Sequence, residues 1–551
     1  MKNFKERLVL LLTVLNLATF LSIRYIWSGI MNVVGGKMWI ILVLLILLLV
    51  AFIISLIDRF LIKKLGLWIS SLVISLLFVF LFLYMFYETL DYMIYFAINF
   101  ARIIFVFLTL YAIIYAIFYM IKKPEHKKSK VRFHTGLLVL TICVSLFKVL
   151  DLGVMYFVTK PVVYAVEDEY QIVFETSRLA TAEVKVGDSI YYDTSSGTIK
   201  SSSKIHKIIV PMKILDFEKQ YEVSSTNILY RGPYNGVKGR TITHASTFRG
   251  VDPTGGPFKF HVGSDFHDKK KSRIASIKYE WEELDFIVLA GDISSFLETK
   301  WNISFINQCA YEASNGEIPV IYNRGNHETK GLHRDELANA VGSKNNDFYF
   351  TVTLGEIFII VLDLAEDHND DWWEFYGTAN YSAYRRKQIS WLEKIKDDVD
   401  HKYMWQSYAY RYVISHQPLS FINKDTNGLF LEEEKTQLVN LFNDMQIDAS
   451  FAGHFHNLYY LHDLPSGDLV VAEGIDQKHF SKGTGANFPE FVTSKHALEQ
   501  LEPNSKIKNV YTSLRVEISP TKNIAYFVNS EENIVDVIEP ISGLKHSIIE
   551  F

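Results

Sequence analysis

Asp265 and His267 stand one residue apart at the end of an apolar run, Phe260-His-Val-Gly-Ser-Asp-Phe-His267. Four later runs end in the same kind of residue. Phe286–Ala290 leads into Gly291-Asp292, and Val320–Asn323 into Arg324-Gly-Asn-His-Glu328. Residues 412–414 lead into Ser415-His416-Gln417-Pro418, and residues 449–451 into Ala452-Gly453-His454-Phe455-His456. Asp and Asn oxygens with neutral His nitrogens suit Zn, Mn and Fe. One bridging carboxylate can hold two such ions about 3.5–4 Å apart, an arrangement that clamps a phosphate and acidifies a bound water. A ligating His must be neutral, so activity is expected to fall in acid.

The elements that must position these residues follow from the pattern. Each apolar run reads as a buried strand with its polar residues at the C-terminal end. In open α/β sheets, ligands bind beyond that end. Helical patterns fall between the runs, at 272–284, Lys300–Ser314, 334–341, 385–399 and 432–445. Residues 358–362, ending in Asp363, give one more strand. Alternating strands and helices predict an α/β core. After His456 the pattern turns to strands at 469–472, 511–518 and 524–529, and 486–508 reads as a surface insertion.

Upstream, residues 159–250 hold about seven short β-rich runs without a helical pattern, which predicts a β-sandwich. Residues 251–257, Val-Asp-Pro-Thr-Gly-Gly-Pro, read as a linker.

The chain has 551 residues, 49% of them hydrophobic, and the excess sits at the start. Apolar runs at 8–26, 38–57, 67–87, 94–121 and 133–157 each approach the roughly 20 residues that a membrane span needs. Basic loops alternate with non-basic ones, which predicts a cytoplasmic N-terminus and an extracellular catalytic part. The expected architecture is thus a multi-domain, multi-pass cell-membrane protein. A helical transmembrane bundle of about five spans occupies 1–158, a β-sandwich 159–250, and an α/β domain 251–551. The lipid bilayer is an expected partner. Residues 1–158 carry 16 Lys/Arg against 6 Asp/Glu, leaving 40 against 55 for the rest. That acidic remainder argues against nucleic acid as a partner. Cys143 and Cys309 are the two cysteines, and neither is expected to be bridged.

The five blocks together resemble the calcineurin-like metallophosphoesterase superfamily, whose pattern is D-x-H, G-D, G-N-H-[DE], a lone His and G-H-x-H. The resemblance covers roughly 258–535. It implies an α/β/β/α sandwich and a hydrolase acting on phosphate mono- or diesters. It also implies two divalent ions, Mn, Zn or Fe. Asp265, His267, Asp292 and His456 would hold one. Asp292, Asn326, His416 and His454 would hold the other, with Asp292 bridging. His327 would contact the phosphate and protonate the leaving oxygen, and Asn326 would also touch substrate; Arg324 is expected at the phosphate only from its place beside Gly325-Asn-His in the chain. The nucleophile would be a metal-bound hydroxide, without a covalent intermediate. A sandwich before the catalytic domain and Val413-Ile-Ser-His416 are similar to the purple acid phosphatase branch. That branch, however, has Gly at the His267 position and a metal-binding Tyr where this chain has Ser.

Other histidines carry no such support. His206 and His244 are read as packing or surface residues, His261 as structural, and His333, His368, His401, His462, His479, His496 and His546 as surface. Trp372, Trp373 and Tyr376 form an aromatic loop that is either a substrate wall or surface packing. The functional expectation is a membrane-anchored phosphoesterase. Its alternative is a membrane sensor or transporter with the soluble domain as a regulatory module.

Overall fold

A computed structural model describes residues 154–550, except 195–199, 232–235, 254, 399–403, 424–430, 470–479, 497–509, 520–521 and 539–546. Val154–Phe551 is one compact unit. In chain order, the elements used below begin with strands β1 (Phe157–Val166), β2 (Glu169–Val186), β3 (Gln220–Arg231), β4 (Gly236–Thr247) and β5 (Phe258–Gly263). Helix α1 (Lys270–Lys278), β6 (Phe286–Ala290), α2 (Lys300–Ser314) and β7 (Val320–Asn323) follow. Next come β8 (Phe350–Leu354), β9 (Ile357–Leu362), α3 (Tyr381–Asp397), β10 (Tyr410–Ser415), α4 (Glu432–Asp444) and β11 (Ala449–Ala452). The chain closes with β12 (Tyr459–His462), β13 (Glu490–Val492), β14 (Tyr511–Ser519), β15 (Lys522–Asn529), β16 (Ile534–Ile538) and β17 (Ser547–Glu550).

Two sheets pack face to face. The larger runs β16-β15-β14-β5-β6-β7-β1-β2-β3-β4, and the smaller β8-β9-β10-β11-β13-β12-β17. Strands β5, β6 and β7 are parallel, as are β9, β10, β11 and β13. Parallel strands are covered on both faces, which explains why β6 and β9 are unbroken apolar runs buried at every position. Between the sheets, Phe260 stacks on Phe286 at 4.6 Å and meets Phe451 edge-on at 5.4 Å. Burying a ring of this kind contributes about 1.5–3 kcal/mol. On the outer face of the large sheet, Ile303, Ile306 and Ala310 of α2 pack with Ile287 and Leu289. On the outer face of the small sheet, Leu392 of α3 and Phe442 of α4 pack with Phe358 and Ile360. The layers are therefore helix, sheet, sheet, helix. The α2 pattern predicted from sequence is matched because Thr299 and Asn302 form a capping box and Asn315 ends the helix in the left-handed conformation.

Three expectations are corrected. The first is the five-span, multi-pass membrane architecture and the location derived from it. Among the described residues, no helix is long and apolar enough to cross a membrane. The first four apolar runs lie outside the described residues. Of the fifth, only residues 154–157 are described. Residues 154–156 are not helical, and Phe157 opens β1, where it pairs with Thr176 of β2.

The second correction concerns 159–250, which does form strands but not a sandwich with its own core. Strand β1 lies parallel to β7, with Tyr164 opposite Val320, so β1–β4 extend the catalytic sheet. The physical cause is double burial. Val163 and Ala165 face the inter-sheet core, while Val162 and Tyr164 face α2. The Tyr164 hydroxyl donates to Asn307 Oδ1 of α2 at 2.8 Å. The third correction is within 486–508: Glu490–Val492 is a buried strand between β11 and β12 rather than surface. Three residues are too few for a readable period.

Candidate active site

The five motif blocks all lie at C-terminal ends of parallel strands, namely β5, β6, β7, β10 and β11. Adjacent parallel strands in register deliver their last residues side by side. The loops then turn sharply. Asp265, His267, Asp292, His454 and His456 have φ of 56°, 47°, 54°, 76° and 53°, in the left-handed region that non-glycine residues rarely adopt. Such strain persists where the surroundings over-determine it, and it clusters at functional sites. Two motif glycines are required by close approach. A Cβ on Gly325 would overlap Asp292 Oδ1, and one on Gly453 would overlap Ser264 Oγ.

The side chains fall into adjoining groups whose ligand atoms lie within 4.8 Å of one another. Asp265, His267 and His456 form one group, and Asp292, His416 and His454 another. In the first, His456 Nε2 is 3.3 Å from Asp265 Oδ1 and 2.9 Å from His267 Nε2. In the second, His416 Nε2 is 3.2 Å from both Asp292 Oδ2 and Asn326 Oδ1. Asp292 Oδ2 joins the groups, since His267 Nε2 lies 3.9 Å away and His327 Nε2 3.8 Å.

Hydrogen bonds orient several of these groups. His416 Nδ1 donates to the Ala290 carbonyl at 2.8 Å, which turns Nε2 toward Asp292. His327 Nδ1 donates to the Ser295 carbonyl at 2.6 Å, so its Nε2 faces the cluster. The backbone N–H of His327 donates to Asp292 Oδ1, and that of His454 to Asp265 Oδ2. Burial alone would raise the carboxyl pKa of Asp292 and Asp265. The imidazoles beside them, His416 and His327 for Asp292 and His456 for Asp265, hold both below the usual carboxylate range. His416 is fully buried, which would lower it, but Asp292 outweighs that and raises it to about 10. Burial and the nearby His327 lower His267.

This donor set fits divalent ions. Carboxylate oxygens and imidazole nitrogens from separate loops converge to within 4.8 Å of one another in each group, the donor types that Zn, Mn and Fe take.

Arg324 is placed differently from the expected substrate contact. Its Nη2 pairs with Asp363 Oδ2 at 2.6 Å, and its guanidinium lies 4.4 Å over the Phe348 ring. His206 is fully buried and bonds Asp193 at 2.7 Å, and His261 is buried against Ser513. Trp373 and Tyr376 are exposed, while Trp372 packs on His368. Cys309 is a free buried thiol in α2, and Cys143 lies outside the described residues.

Four residues near the site had no role assigned to them from sequence. Glu328 is fully buried and accepts backbone N–H groups of Asp292, Ser294 and Gly325 at 2.9–3.0 Å, tying the loops after β6 and β7 together. Burial and Asp292 push its carboxyl up to about 8. Glu366 accepts from Asn326 Nδ2 at 2.9 Å, and Asp367 lies 3.1 Å from His454 Nε2. His368, expected on the surface, sits 3.0 Å from Asp367 instead. All three lie on the loop after β9. The available signal is Asp363 at the end of a sixth strand, a few positions before them in the chain.

A family model for calcineurin-like phosphoesterases matches residues 258–458. No curated protein matches the chain. Solved structures similar to it include a purple acid phosphatase from yellow lupin (Lupinus luteus) seeds, 12% identical, with 68% of this chain and 73% of that one covered at a TM-score of 0.42. PhoD is 11% identical, with 71% and 88% covered at a TM-score of 0.39. The segment that matches the calcineurin-like phosphoesterase model, residues 258–458, holds every one of the five motif blocks.

Proposed function

We propose that this site hydrolyses phosphate mono- or diesters with two divalent ions, Mn, Zn or Fe, held in the two groups joined by Asp292. Asp265, His267 and His456 would hold one ion, and Asn326, His416 and His454 the other, with Asp292 shared. The observation that carries the reading is the position of Asp292 Oδ2. It lies within 3.2–3.9 Å of Nε2 atoms contributed by three different loops, those of His267, His327 and His416. When bound, such ions supply charge for phosphate oxygens and lower the pKa of a water.

The rest belongs to the side chains. His327 presents Nε2 at the cluster while its Nδ1–H is held by Ser295, a posture suited to contacting the phosphate and giving a proton to the leaving oxygen. Asn326 turns Oδ1 toward His416 because Glu366 takes its amide N–H. Asp292 is fixed by two backbone contacts, its own N–H to Glu328 and its Oδ1 from His327.

The test uses the full-length protein with added Mn, Zn or Fe. It is assayed on p-nitrophenyl phosphate and on bis(p-nitrophenyl) phosphate, with Asp292→Asn alongside. Metal-dependent turnover of either ester, reduced about 10³-fold in the variant, is expected. Preference for one ester assigns phosphatase or diesterase. No metal-dependent turnover of any phosphate ester would overturn the reading.

A further inference from the structure

The loop after β9 carries a second layer of charge that serves only one of the two groups. Glu366 is fully buried. It bonds Asn326 Nδ2 at 2.9 Å and pairs with Lys330 at 2.8 Å. Asp367 lies 3.1 Å from His454 Nε2 and 3.0 Å from His368 Nδ1. Asn326 and His454 both belong with Asp292 and His416. The non-ligating ends of three neighbours are thus satisfied: Asn326 by Glu366, His454 by Asp367 and His416 by the Ala290 carbonyl.

The loop is built to hold this geometry. Buried Arg385 of α3 donates to the carbonyls of Leu364 and Glu366 at 3.2 and 3.1 Å. Gln388 grips Asp363 through both its N–H and its carbonyl. Ala365 takes a φ of 59°, which aims the next two side chains back at the site. Arg324 completes the clamp through Asp363.

Charge explains why one position would need this support. The group of Asp265, His267 and His456 has its own carboxylate and a share of Asp292. The group of Asn326, His416 and His454 has neutral ligands and only the shared Asp292. Lys330 pairs with Glu366, and Asp367, which also meets His368 at 3.0 Å, puts a carboxylate directly behind His454. A carboxylate behind a ligating His fixes its tautomer and raises its basicity, and losing such a partner costs about 10–100-fold in metal affinity.

We infer that Asp367, with Glu366, is a positioning residue for one ion only, setting the affinity of the Asn326–His416–His454 position and leaving the other untouched. This rests on the two-ion reading above. The experiment is a Mn²⁺ titration of the full-length protein by calorimetry, with the exchange-coupled signal of a Mn pair followed by electron paramagnetic resonance. Wild type is expected to bind two ions. In Asp367→Asn, one ion should bind 10–100-fold more weakly and the other unchanged. At one equivalent of Mn²⁺ the spectrum should then be that of an isolated ion. Glu366→Gln should weaken the same single ion, and Glu374→Gln, the more exposed carboxylate that also meets Lys330, should change nothing. Equal weakening of both ions in Asp367→Asn and Glu366→Gln, or of neither, would overturn the inference. A wild-type protein binding a single ion would instead overturn the two-ion reading from which the inference starts.

Discussion

The large sheet has two halves that differ in what they do with buried polar groups. In β5–β7 the strands are parallel, and their ends gather Asp265, His267 and Asp292, all at left-handed φ, with Asn326 and His327. Across residues 157–247 several buried polar groups pair off one to one. Tyr164 bonds Asn307, His206 bonds Asp193, and the Tyr221 hydroxyl donates to the Gly316 carbonyl at 2.9 Å. The polar residues of one half point at a shared centre, while these three in the other each have a separate partner. A buried polar cluster reads as a site when its members converge on one atom, here Asp292 Oδ2, and as packing when each has its own partner.

The largest expected effect that would sharpen this contrast is at His327. His327→Gln should lower kcat by about 10²–10⁴-fold while the bound metal content stays that of wild type. The loss should be smaller for p-nitrophenyl esters than for alkyl esters, whose leaving oxygens need the proton more. An unchanged kcat on alkyl esters would remove His327 from the chemistry.

Metal uptake gives the next test. In the metal-free protein His416 is raised to about 10, against an ordinary value near 6.5. The pairing with Asp292 therefore stabilises the metal-free fold fully below about 6.5, and that contribution is lost as pH rises through about 10. At pH 8 the imidazole still holds its proton, and an ion can bind only when it leaves. Calorimetric titration with Zn²⁺ at pH 8 in buffers of different ionisation enthalpy should show release of at least one proton per protein. Proton-independent uptake would contradict the placement of His416 at the ion.

The smallest effect belongs to the other half of the sheet. Tyr164→Phe leaves Asn307 Oδ1 buried without its donor and should lower stability by about 1 kcal/mol. The readout is the denaturation midpoint, with kcat unchanged. A fall in kcat without a change in midpoint would mean that the two halves are not separable as drawn.

Much of the catalytic fold was legible because its signals are local. β6 and β7 match their apolar runs residue for residue, since strands covered on both faces read as continuous hydrophobic stretches. Helix α2 was legible because its cap residues sit in sequence beside its apolar stripe. The role of 159–250 was not legible. The same short runs serve a free sandwich or the extension of a neighbouring sheet, and only the Tyr164–Val320 register distinguishes them. Glu490–Val492 was missed because three residues carry no period, and its place between β11 and β12 comes from long-range pairing.

The residue types of the site were determined by the sequence alone. Five blocks of Asp, Asn and His at strand ends could be read in order, because metal chemistry restricts the donors and strand ends restrict where they stand. The three backbone N–H groups on Glu328, the pairing of Arg324 with Asp363, and the contacts of Glu366 with Asn326 and of Asp367 with His454 were decided by tertiary structure. Apart from the Gly325–Glu328 contact, those relations join residues at least 34 positions apart. They follow from which strands lie side by side and how each loop turns, which a linear pattern of residue types does not encode.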